Sequence, residues 1–322
     1  MYRYSINFNF INGPHGGANQ FLRGFRKYLQ DRSLFSNCFQ ADMILVNSHH
    51  KLLTSTLFKL FLKKKIIHRI DGPISLIRNT NTKLDEVIHF FSLYVADGLI
   101  FQTNWSRNKN IEISPSLLNK KYTTLLNVTN ITPLNDIKQR KNTVVIASWS
   151  NNEKKGHYFY EYLDRHLQSL DFDVEYFGNV ATQYKNIQCK GIVSPEELVE
   201  HYSKAKIFLS ASSDDPCSNA VIEARNCNLV TVCKNSGGHP EITSNPELLF
   251  STPEEMIKKL IEGMRDPTIR QEYPNSQETY ESYVRFSHKV ENNYNLANVI
   301  KFLIILLFYY LKLSVRKCIK II

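Results

Sequence analysis

The pattern of apolar and polar positions in the first 128 residues predicts strands that alternate with helices. Residues 4–10 alternate polar and apolar side chains, as a half-buried strand does, and a loop with glycines precedes a helical stripe at Phe21, Phe25, Tyr28 and Leu29. Further short apolar runs, which have the length of buried strands, lie at residues 43–46, 66–70, 99–101 and 124–128. Helical patterns separate most of these runs, so we expect a mainly parallel sheet covered by helices.

The same alternation resumes after a polar stretch at residues 129–141, where Pro133 indicates a linker. The strand-like runs of this second series lie at residues 143–147, 174–177, 207–210 and 229–232. Helices are predicted between them, at residues 156–167 and around Glu196 and Ala220. We therefore predict an α/β protein with two Rossmann-like, doubly wound domains at residues 1–140 and 141–287, followed by a C-terminal helix within residues 288–322.

Composition and charge narrow the class of protein without identifying a partner. Of the 322 residues, 43% are hydrophobic and 22% are charged, which is typical of folded proteins and excludes extensive disorder. The net charge of +10 favours an anionic partner, and a nucleotide, a nucleic acid or a lipid headgroup satisfies that condition. Six cysteines are scattered without the paired spacing of a metal site, so we interpret them as reduced thiols. Residues 1–10 lack the apolar core of a signal peptide, so we expect a cytoplasmic protein.

Two carboxylates in the segment 210–242 lie on a predicted loop and on the helix that follows it. Asp215 lies in a predicted strand-to-helix loop, and Glu223 follows eight residues later on the helix. A carboxylate at each end of such a loop can accept hydrogen bonds from hydroxyl pairs, and the helix N-terminus between them suits a phosphate. The alternative is structural, with Asp215 as a helix cap and Glu223 on a solvated helix face.

This segment resembles the donor site of the family-4 retaining glycosyltransferases of the GT-B type, the glycosyl transferases group 1. The family pattern is Glu, seven residues, Glu, an apolar strand and a Gly-Gly-x-x-Glu turn. Here Asp215 replaces the first Glu, and the turn residues are Gly237, Gly238 and Glu241. The resemblance implies two Rossmann-like domains that face each other across a cleft, with the nucleotide-sugar bound mainly to the C-terminal one.

The resemblance also implies a role for each residue of this segment. Glu223 would bind the ribose and Asp215 the transferred sugar. Backbone N–H groups near Ser218 and Asn219 would bind the diphosphate. The shortening from Glu to Asp affects the sugar contact more than the ribose contact.

A second match lies in the loop after the predicted strand at residues 143–147. In the family this loop usually carries an Arg and, five residues later, a Lys before Gly, and both neutralise the donor diphosphate. In this chain Lys155 precedes Gly156, and Ser150 occupies the Arg position. The resemblance implies that Lys155 stabilises the departing phosphate with one cation fewer than usual. The alternative is an ordinary solvated lysine.

Weaker matches assign further donor contacts. Gly178 ends a predicted strand, and Val193 belongs to a segment similar to the one that lines the nucleotide base in the family. Gly16 and Gly17 resemble the glycine loop at which the backbone approaches the donor phosphates, although an ordinary turn explains them equally simply.

Asp71 follows the third apolar run, where many relatives carry a histidine near the reacting sugar. The resemblance implies that Asp71 binds a sugar hydroxyl or the incoming acceptor, and we count it with Lys155 and Asp215 as a candidate catalytic residue. A structural cap of the Gly72-Pro73 turn is the alternative. No residues have metal-ligand spacing, so we expect neither a metal nor another cofactor.

The end of the chain is apolar and basic. Residues 302–311 are ten uninterrupted apolar residues, which is short of the roughly 20 that span a bilayer. Residues 299–322 hold five basic residues and no acidic one. Two compatible interpretations stay open: an anchor at an anionic membrane surface, supported by a second basic apolar stretch at residues 52–65, and a terminal helix that packs on the first domain.

The sequence thus supports a ranked set of functions. The first is a retaining, metal-independent glycosyltransferase that moves a sugar from a nucleotide-sugar to a carbohydrate or lipid-linked acceptor. The second is a catalytically silent nucleotide-sugar or glycan binding protein on the same fold, because of Ser150 and Asp215. A third and weaker hypothesis, a nucleic-acid binder, is suggested by the charge alone. We do not expect a nucleic-acid partner.

Overall fold

The computed structural model describes residues 2–11, 17–80, 83–131, 140–148, 152–180, 182–243, 245–266 and 274–319. The chain divides into two compact units. Unit 1 comprises Met1–Phe10, Phe25–Leu125 and Tyr280–Ile322, and unit 2 comprises Ile11–Gly24 and Leu126–Thr279. The main passages between units thus lie after Leu125 and after Thr279, whereas the sequence placed the domain boundaries after residues 140 and 287.

The described residues alternate strands and helices along the chain. The strands are β1 (Tyr4–Asn7), β2 (Met43–Asn47), β3 (Lys65–Ile70), β4 (Gly98–Phe101), β5 (Lys121–Thr124), β6 (Lys141–Ser148), β7 (Asp173–Gly178), β8 (Gln188–Gly191), β9 (Ala205–Ser210), β10 (Val230–Lys234) and β11 (Leu249–Phe250). The helices are α1 (Gly17–Asp31), α2 (Leu52–Leu62), α3 (Ile74–Arg78), α4 (Leu84–Tyr94), α5 (Asn104–Ile113), α6 (His157–His166), α7 (Pro195–Lys204), α8 (Asn219–Asn226), α9 (His239–Thr243), α10 (Pro253–Arg265), α11 (Ser276–Lys289) and α12 (Leu296–Ile319).

Each unit is built on one parallel sheet. In the described part of unit 1 the strand order is β1-β2-β3-β4-β5, and in that of unit 2 it is β11-β10-β9-β6-β7-β8. The ladders in both sheets are parallel throughout. Strands that are covered on both faces need continuous apolar sequence, and all five residues of β2 are indeed buried. This arrangement places the carboxyl ends of neighbouring strands side by side within each unit.

Helices α2, α4 and α12 cover one face of the first sheet. Their core residues join those of β2, β3 and β4 in a single apolar cluster, in which Phe91 of α4 meets Phe302 of α12 at a ring distance of 5.3 Å. In unit 2, one cluster joins β6, β7 and β9 to α6 and α10, and another joins the opposite face to α7 and α8. The two predicted α/β domains are therefore present, each with its own core.

Edge strands account for the differences from the sequence expectation. The run at residues 124–128 was expected to be a strand, but β5 is Lys121–Thr124 and is largely exposed. Leu126 and Val128 bury their side chains in unit 2 instead, so the apolar run marks a change of unit and not a strand. The edge strands β8 and β11 were not predicted, because backbone pairing at an edge requires little apolar sequence. The first strand ends at Asn7 and not at residue 10.

The C-terminal helix is longer than the ten-residue apolar run suggested. Helix α12 has 24 residues, because flanking residues such as Leu296 and Leu313 continue the helix. Its stretch Leu296–Ser314 is long and apolar enough to cross a membrane, judged by length and composition alone. It is the one such stretch among the described residues. Its residues Val299, Phe302 and Leu306 are buried in unit 1.

Candidate functional site

The loop between β9 and α8 is fixed by hydrogen bonds from both sides within unit 2. The Ser213 amide donates to the Lys154 carbonyl at 2.7 Å, in the loop after β6. On the other side, the Asp214 amide donates to the Ser236 hydroxyl at 3.1 Å, and the Gly238 amide donates to the Asp215 carbonyl at 2.8 Å. The carboxyl ends of β6, β9 and β10 therefore form one connected polar site.

The predicted glycine turn has a steric reason. Gly237 has a φ of +65°, which L-residues rarely adopt, and an added Cβ would collide with the Asp215 backbone. Gly178 at the end of β7 has a φ of +110°, and there a Cβ would collide with the Ser148 carbonyl. Both glycines allow neighbouring loops to approach more closely than any side chain would permit.

Lys155 and Asp215, two of the candidate catalytic residues, form an ion pair. The Lys155 Nζ lies 3.1 Å from the Asp215 Oδ2, and the Cys217 amide donates to the Asp215 Oδ1 at 3.3 Å. Burial by itself would raise the pKa of the Asp215 carboxyl, but the charges of Lys155 and His239 and these hydrogen bonds lower it overall. Asp215 is therefore ionised at neutral pH. Lys154 makes a parallel pair with Asp214 at 2.6 Å.

Two further residues of the site were not singled out from the sequence. His239, at the start of α9, is fully buried, and its ring nitrogens lie 2.9 Å from the Lys234 carbonyl and 3.3 Å from the Ser210 hydroxyl. Burial lowers the pKa of His239. The Lys234 amine donates to the Ser213 hydroxyl at 2.7 Å and brings a third cation to the loop. His239 follows the glycine turn directly, which is the sequence signal that could have identified it.

A cavity of about 170 Å³ opens beside this site in unit 2. Its walls are mainly apolar, with Phe177, Ile192, Leu198, Val199 and Tyr202 contributed by β7, α7 and the segment before α7. Four residues predicted to bind the donor line this same cavity: Gly178, Val193, Asn219 and Glu223. The structure thus brings together positions that are far apart in sequence.

Glu223 is the acidic residue in the lining of this cavity. Its carboxylate is half-buried and has no hydrogen-bond or ion-pair partner among the residues that the structure describes. Burial raises the pKa of Glu223 to about 7. A carboxylate in this position gains from a hydroxyl-bearing ligand, because a buried acceptor without a partner is costly. The solvated-face alternative therefore does not describe Glu223.

The N-terminus of α8 lies between the two carboxylates. Ser218 is the N-cap residue, but its side chain makes no capping hydrogen bond. The Asn219 side chain instead accepts a hydrogen bond from Asn127 at 3.1 Å. Because the first amides of a helix have no carbonyl partner within it, this end presents N–H groups that can bind an anion.

In unit 1, Asp71 is held at the end of β3 by two side chains. Arg69, which is fully buried, donates to the Asp71 Oδ1 at 3.1 Å, and Gln102 donates to the same oxygen. The start of α3 is capped by Asp85, which accepts hydrogen bonds from the Ile74 and Ser75 amides at 2.7 and 2.9 Å. Asp85 thus caps the start of α3, and about 27% of the Asp71 side chain is exposed.

Some predicted positions cannot be placed in the site. Gly16 and Ser150 lie outside the described residues, and Gly17 is the first residue of α1. Arg225, a basic residue of α8, is buried and donates to the Ile242 carbonyl, so it does not replace the cation missing at position 150. In the part of the chain that the structure describes, no three His, Cys, Asp or Glu side chains are grouped so that they could hold a metal ion.

Comparison with protein families supports the resemblance noted in the sequence. Residues 140–266 match the model of the family described as "Glycosyl transferases group 1". This segment contains Lys155, Glu223 and the residues of β7 and α7 that line the cavity. A search of curated proteins finds no match.

Solved structures with the same fold cover nearly the whole chain. Sucrose-phosphate synthase from Thermosynechococcus elongatus matches with a TM-score of 0.64 and 12% identity, over 98% of this chain and 100% of that chain. Anabaena HepE in complex with UDP-glucose matches with a TM-score of 0.65 and 11% identity, over 95% and 99%. The catalytic domain of starch synthase IV from Arabidopsis thaliana, bound to ADP and acarbose, matches with a TM-score of 0.59 and 9% identity, over 85% and 78%. The predicted GT-B fold and the predicted group 1 resemblance are confirmed.

Proposed function

We propose that this chain, a GT-B protein with a glycosyl transferases group 1 segment at residues 140–266, transfers a sugar from a nucleotide-sugar to an acceptor hydroxyl with retention of the anomeric configuration. The observation that carries the proposal is the placement of Glu223. Its carboxylate, which has no partner among the described residues, lines an apolar cavity that includes Asn219, the first residue of α8. Asp215, which pairs with Lys155, lies four residues before Asn219 in the sequence. This order of groups matches the order of base, ribose and diphosphate in a nucleotide-sugar.

The donor would lie along unit 2 from the cavity to the ion pair. A flat nucleotide base fits the apolar walls near Val193 and Tyr202, and its ribose hydroxyls would donate hydrogen bonds to Glu223. The diphosphate would accept hydrogen bonds from the amides at Ser218 and Asn219. The transferred sugar would then lie toward Asp215, whose Oδ2 holds Lys155 in the ligand-free protein.

The leaving group is the nucleoside diphosphate, which gains negative charge as the glycosidic bond breaks. Lys155 and the first amides of α8 are positioned to stabilise that charge, and one such contact is worth roughly 3 kcal/mol in a transition state. Lys234, held at the same loop by Ser213, would supply part of the charge that an Arg at position 150 provides in relatives. We accordingly propose that turnover requires no metal ion.

For unit 1 we propose that Asp71 binds a hydroxyl group of the sugar or of the acceptor. The buried Arg69 and Gln102 donate hydrogen bonds to its Oδ1 and fix the carboxylate at the end of β3. A carboxylate held in this way can accept a hydrogen bond from a hydroxyl without reorganising. Carbohydrates and lipid-linked glycans both offer such hydroxyls.

The second candidate is a nucleotide-sugar binding protein that does not catalyse transfer. It is favoured by Ser150 in place of the usual Arg and by Asp215 in place of Glu. Both candidates predict donor binding, and only the first predicts release of a nucleoside diphosphate.

The test begins with the full chain and a panel of nucleotide-sugars that includes UDP-glucose, the ligand named in the HepE complex. Thermal shift identifies the donor, because a ligand at 100 times its Kd stabilises a protein by about 2.7 kcal/mol. Release of nucleoside diphosphate is then measured with and without EDTA, and the product anomer is assigned by NMR. Turnover that survives EDTA and gives the donor's anomer supports the proposal, whereas binding without any release supports the second candidate. Activity lost with EDTA and restored by Mg²⁺ would contradict metal independence.

A further inference from the structure

Helix α2 exposes a row of large apolar side chains on the side opposite to its core residues. Leu53, Leu57 and Phe61 follow at steps of four residues, and Phe61 is 72% exposed. Ser55 and Lys59 are buried in unit 1. Residues four apart lie on the same side of a helix, so the exposed residues form one continuous row.

Helix α12 shows the same division. Its residue Val299 is buried, and Phe302 and Leu306 pack into the core cluster of unit 1. Exposed apolar side chains occupy another side, at Ile300, Ile304, Leu307, Phe308 and Leu311. From residue 307 onwards nearly every described side chain of this helix is exposed, although most of them are apolar.

The two rows belong to one surface. Helices α2 and α12 pack against each other and contribute to the same core cluster on one face of the sheet. Phe39 is 71% exposed and packs edge-on against Phe58 of α2, with ring centroids 5.1 Å apart. We call this surface the apolar face, and its members are Phe39, Leu53, Leu57, Phe61, Leu62, Ile300, Ile304, Leu307, Phe308 and Leu311. Monomeric soluble proteins seldom expose so many neighbouring large apolar residues without a partner.

The charge around the apolar face indicates the chemistry of that partner. The sequence from residue 43 to residue 70 contains six basic residues and no acidic one, and residues 292–322 contain five basic residues and no acidic one. Lys63 and Lys64 follow the end of α2, and Lys312 lies near the end of the exposed row on α12. An apolar surface with Lys63, Lys64 and Lys312 at its edges suits an anionic amphipathic layer.

We propose that the apolar face docks unit 1 on an anionic lipid bilayer, with α2 and α12 lying in the headgroup region. A second copy of the chain is a poorer partner, because its face would bring the same positive charge to the contact. Helix α12 has the length to cross a bilayer, but Val299, Phe302 and Leu306 would have to leave the core of unit 1 for it to do so. The helix therefore lies on the membrane and does not cross it.

The test is flotation of the full chain with vesicles of phosphatidylcholine, with or without phosphatidylglycerol. We expect binding that needs phosphatidylglycerol and weakens with salt. The double variant Phe61→Asp/Phe308→Asp should lower the bound fraction at least ~10-fold, because the apolar surface that both Phe side chains bury in the bilayer is lost. Tyr158→Asp is the matched control, since Tyr158 is an exposed aromatic residue in unit 2, 62% exposed, outside the apolar face. Unchanged melting and donor binding show that the variants are folded.

Three results would overturn the proposal. The first is a wild-type chain that does not float with anionic vesicles, or that floats as well as its double variant. The second is a dimer in analytical ultracentrifugation that the double variant dissociates, which would assign the apolar face to a contact between copies. The third is resistance of the bound protein to alkaline carbonate extraction, which would show that α12 crosses the bilayer. Donor binding and turnover do not depend on these outcomes.

Discussion

Two carboxylates eight residues apart in unit 2 show opposite electrostatic situations. Asp215 is paired with Lys155, and that cation together with His239 lowers its pKa despite burial. Glu223 lines the cavity without a partner among the described residues, and burial raises its pKa to about 7. The first group is satisfied before any ligand arrives, and the second is not.

The difference indicates how the two ends of the donor would be bound. A ligand hydroxyl at Glu223 replaces nothing but water, so its hydrogen bonds contribute directly to affinity. A sugar at Asp215 must share the carboxylate with Lys155, so contacts there contribute less to ground-state binding. On the proposed function, Lys155 would act mainly on the departing phosphate, where contacts made in the transition state raise kcat. Glu223 would then contribute mainly to affinity and Lys155 mainly to rate.

The largest expected effect is that of Lys155→Ala on turnover. Removing one charge-stabilising contact from the leaving group should lower kcat about 10²- to 10³-fold, which corresponds to roughly 3–4 kcal/mol. Steady-state release of nucleoside diphosphate measures it. Lys154→Ala is the matched control, because Lys154 is the adjacent lysine and pairs with Asp214. Equal activity of the two variants would remove Lys155 from the reaction.

The next effect concerns affinity. Glu223→Ala should weaken nucleoside diphosphate binding by roughly 1.5–3 kcal/mol, about 10- to 150-fold in Kd, because a charge-assisted contact to the ribose hydroxyls is lost. Isothermal titration calorimetry gives the value directly. Glu196→Ala removes an exposed carboxylate from the first turn of α7 and should leave Kd within twofold. An unchanged Kd for Glu223→Ala would place the ribose elsewhere.

A smaller effect follows from the raised pKa of Glu223. Because ribose hydroxyls bind better to the ionised carboxylate, affinity for the nucleotide-sugar identified by thermal shift should rise about tenfold between pH 6 and pH 8 and level off above the pKa of about 7. The diphosphate diester of a nucleotide-sugar does not titrate in this range, so the protein is the source of the change. Glu223→Gln should be nearly independent of pH. If that variant keeps the same slope, another group, such as His239, carries the titration.

The sequence was sufficient to predict what depends on local chemistry. Continuous apolar runs identified the buried strands, and the spacing of Asp215 and Glu223 on a loop and its helix was predicted correctly. The edge strands β5, β8 and β11 were mispredicted or missed, because their pairing partners, and not their own side chains, determine them. The division of α12 into a buried and an exposed side could not be predicted from the sequence either, since it depends on which side of the helix the core of unit 1 covers.

Long-range partners within the site were equally beyond the sequence. The pairing of Lys155 with Asp215 joins residues 60 positions apart. The placement of Lys234 at Ser213 and the capping of α3 by Asp85 depend on how loops pack at the ends of the strands. A spacing in the sequence can nominate such residues, and only the fold shows which of them meet.

The smallest expected effect is on stability, and it tests whether Glu223 is unsatisfied in the ligand-free protein. The folded pKa of Glu223, about 7, lies above the usual value near 4.3 of an unfolded chain. Folding therefore favours the protonated form, and the stability associated with this group is complete below about pH 4 and is lost as the pH rises to 7. Glu223→Gln has no such loss, so the variant should match wild type near pH 4 and exceed it by about 1 kcal/mol at pH 8, because a half-buried charge is partly screened by water. Thermal melting should show this as a rise in Tm of roughly 2–4 °C at pH 8.

Glu196→Gln, at an exposed position, should show no difference at either pH. A lower Tm for Glu223→Gln at pH 8 would mean that the carboxylate has a partner in the free protein, and the contrast with Asp215 would then be lost.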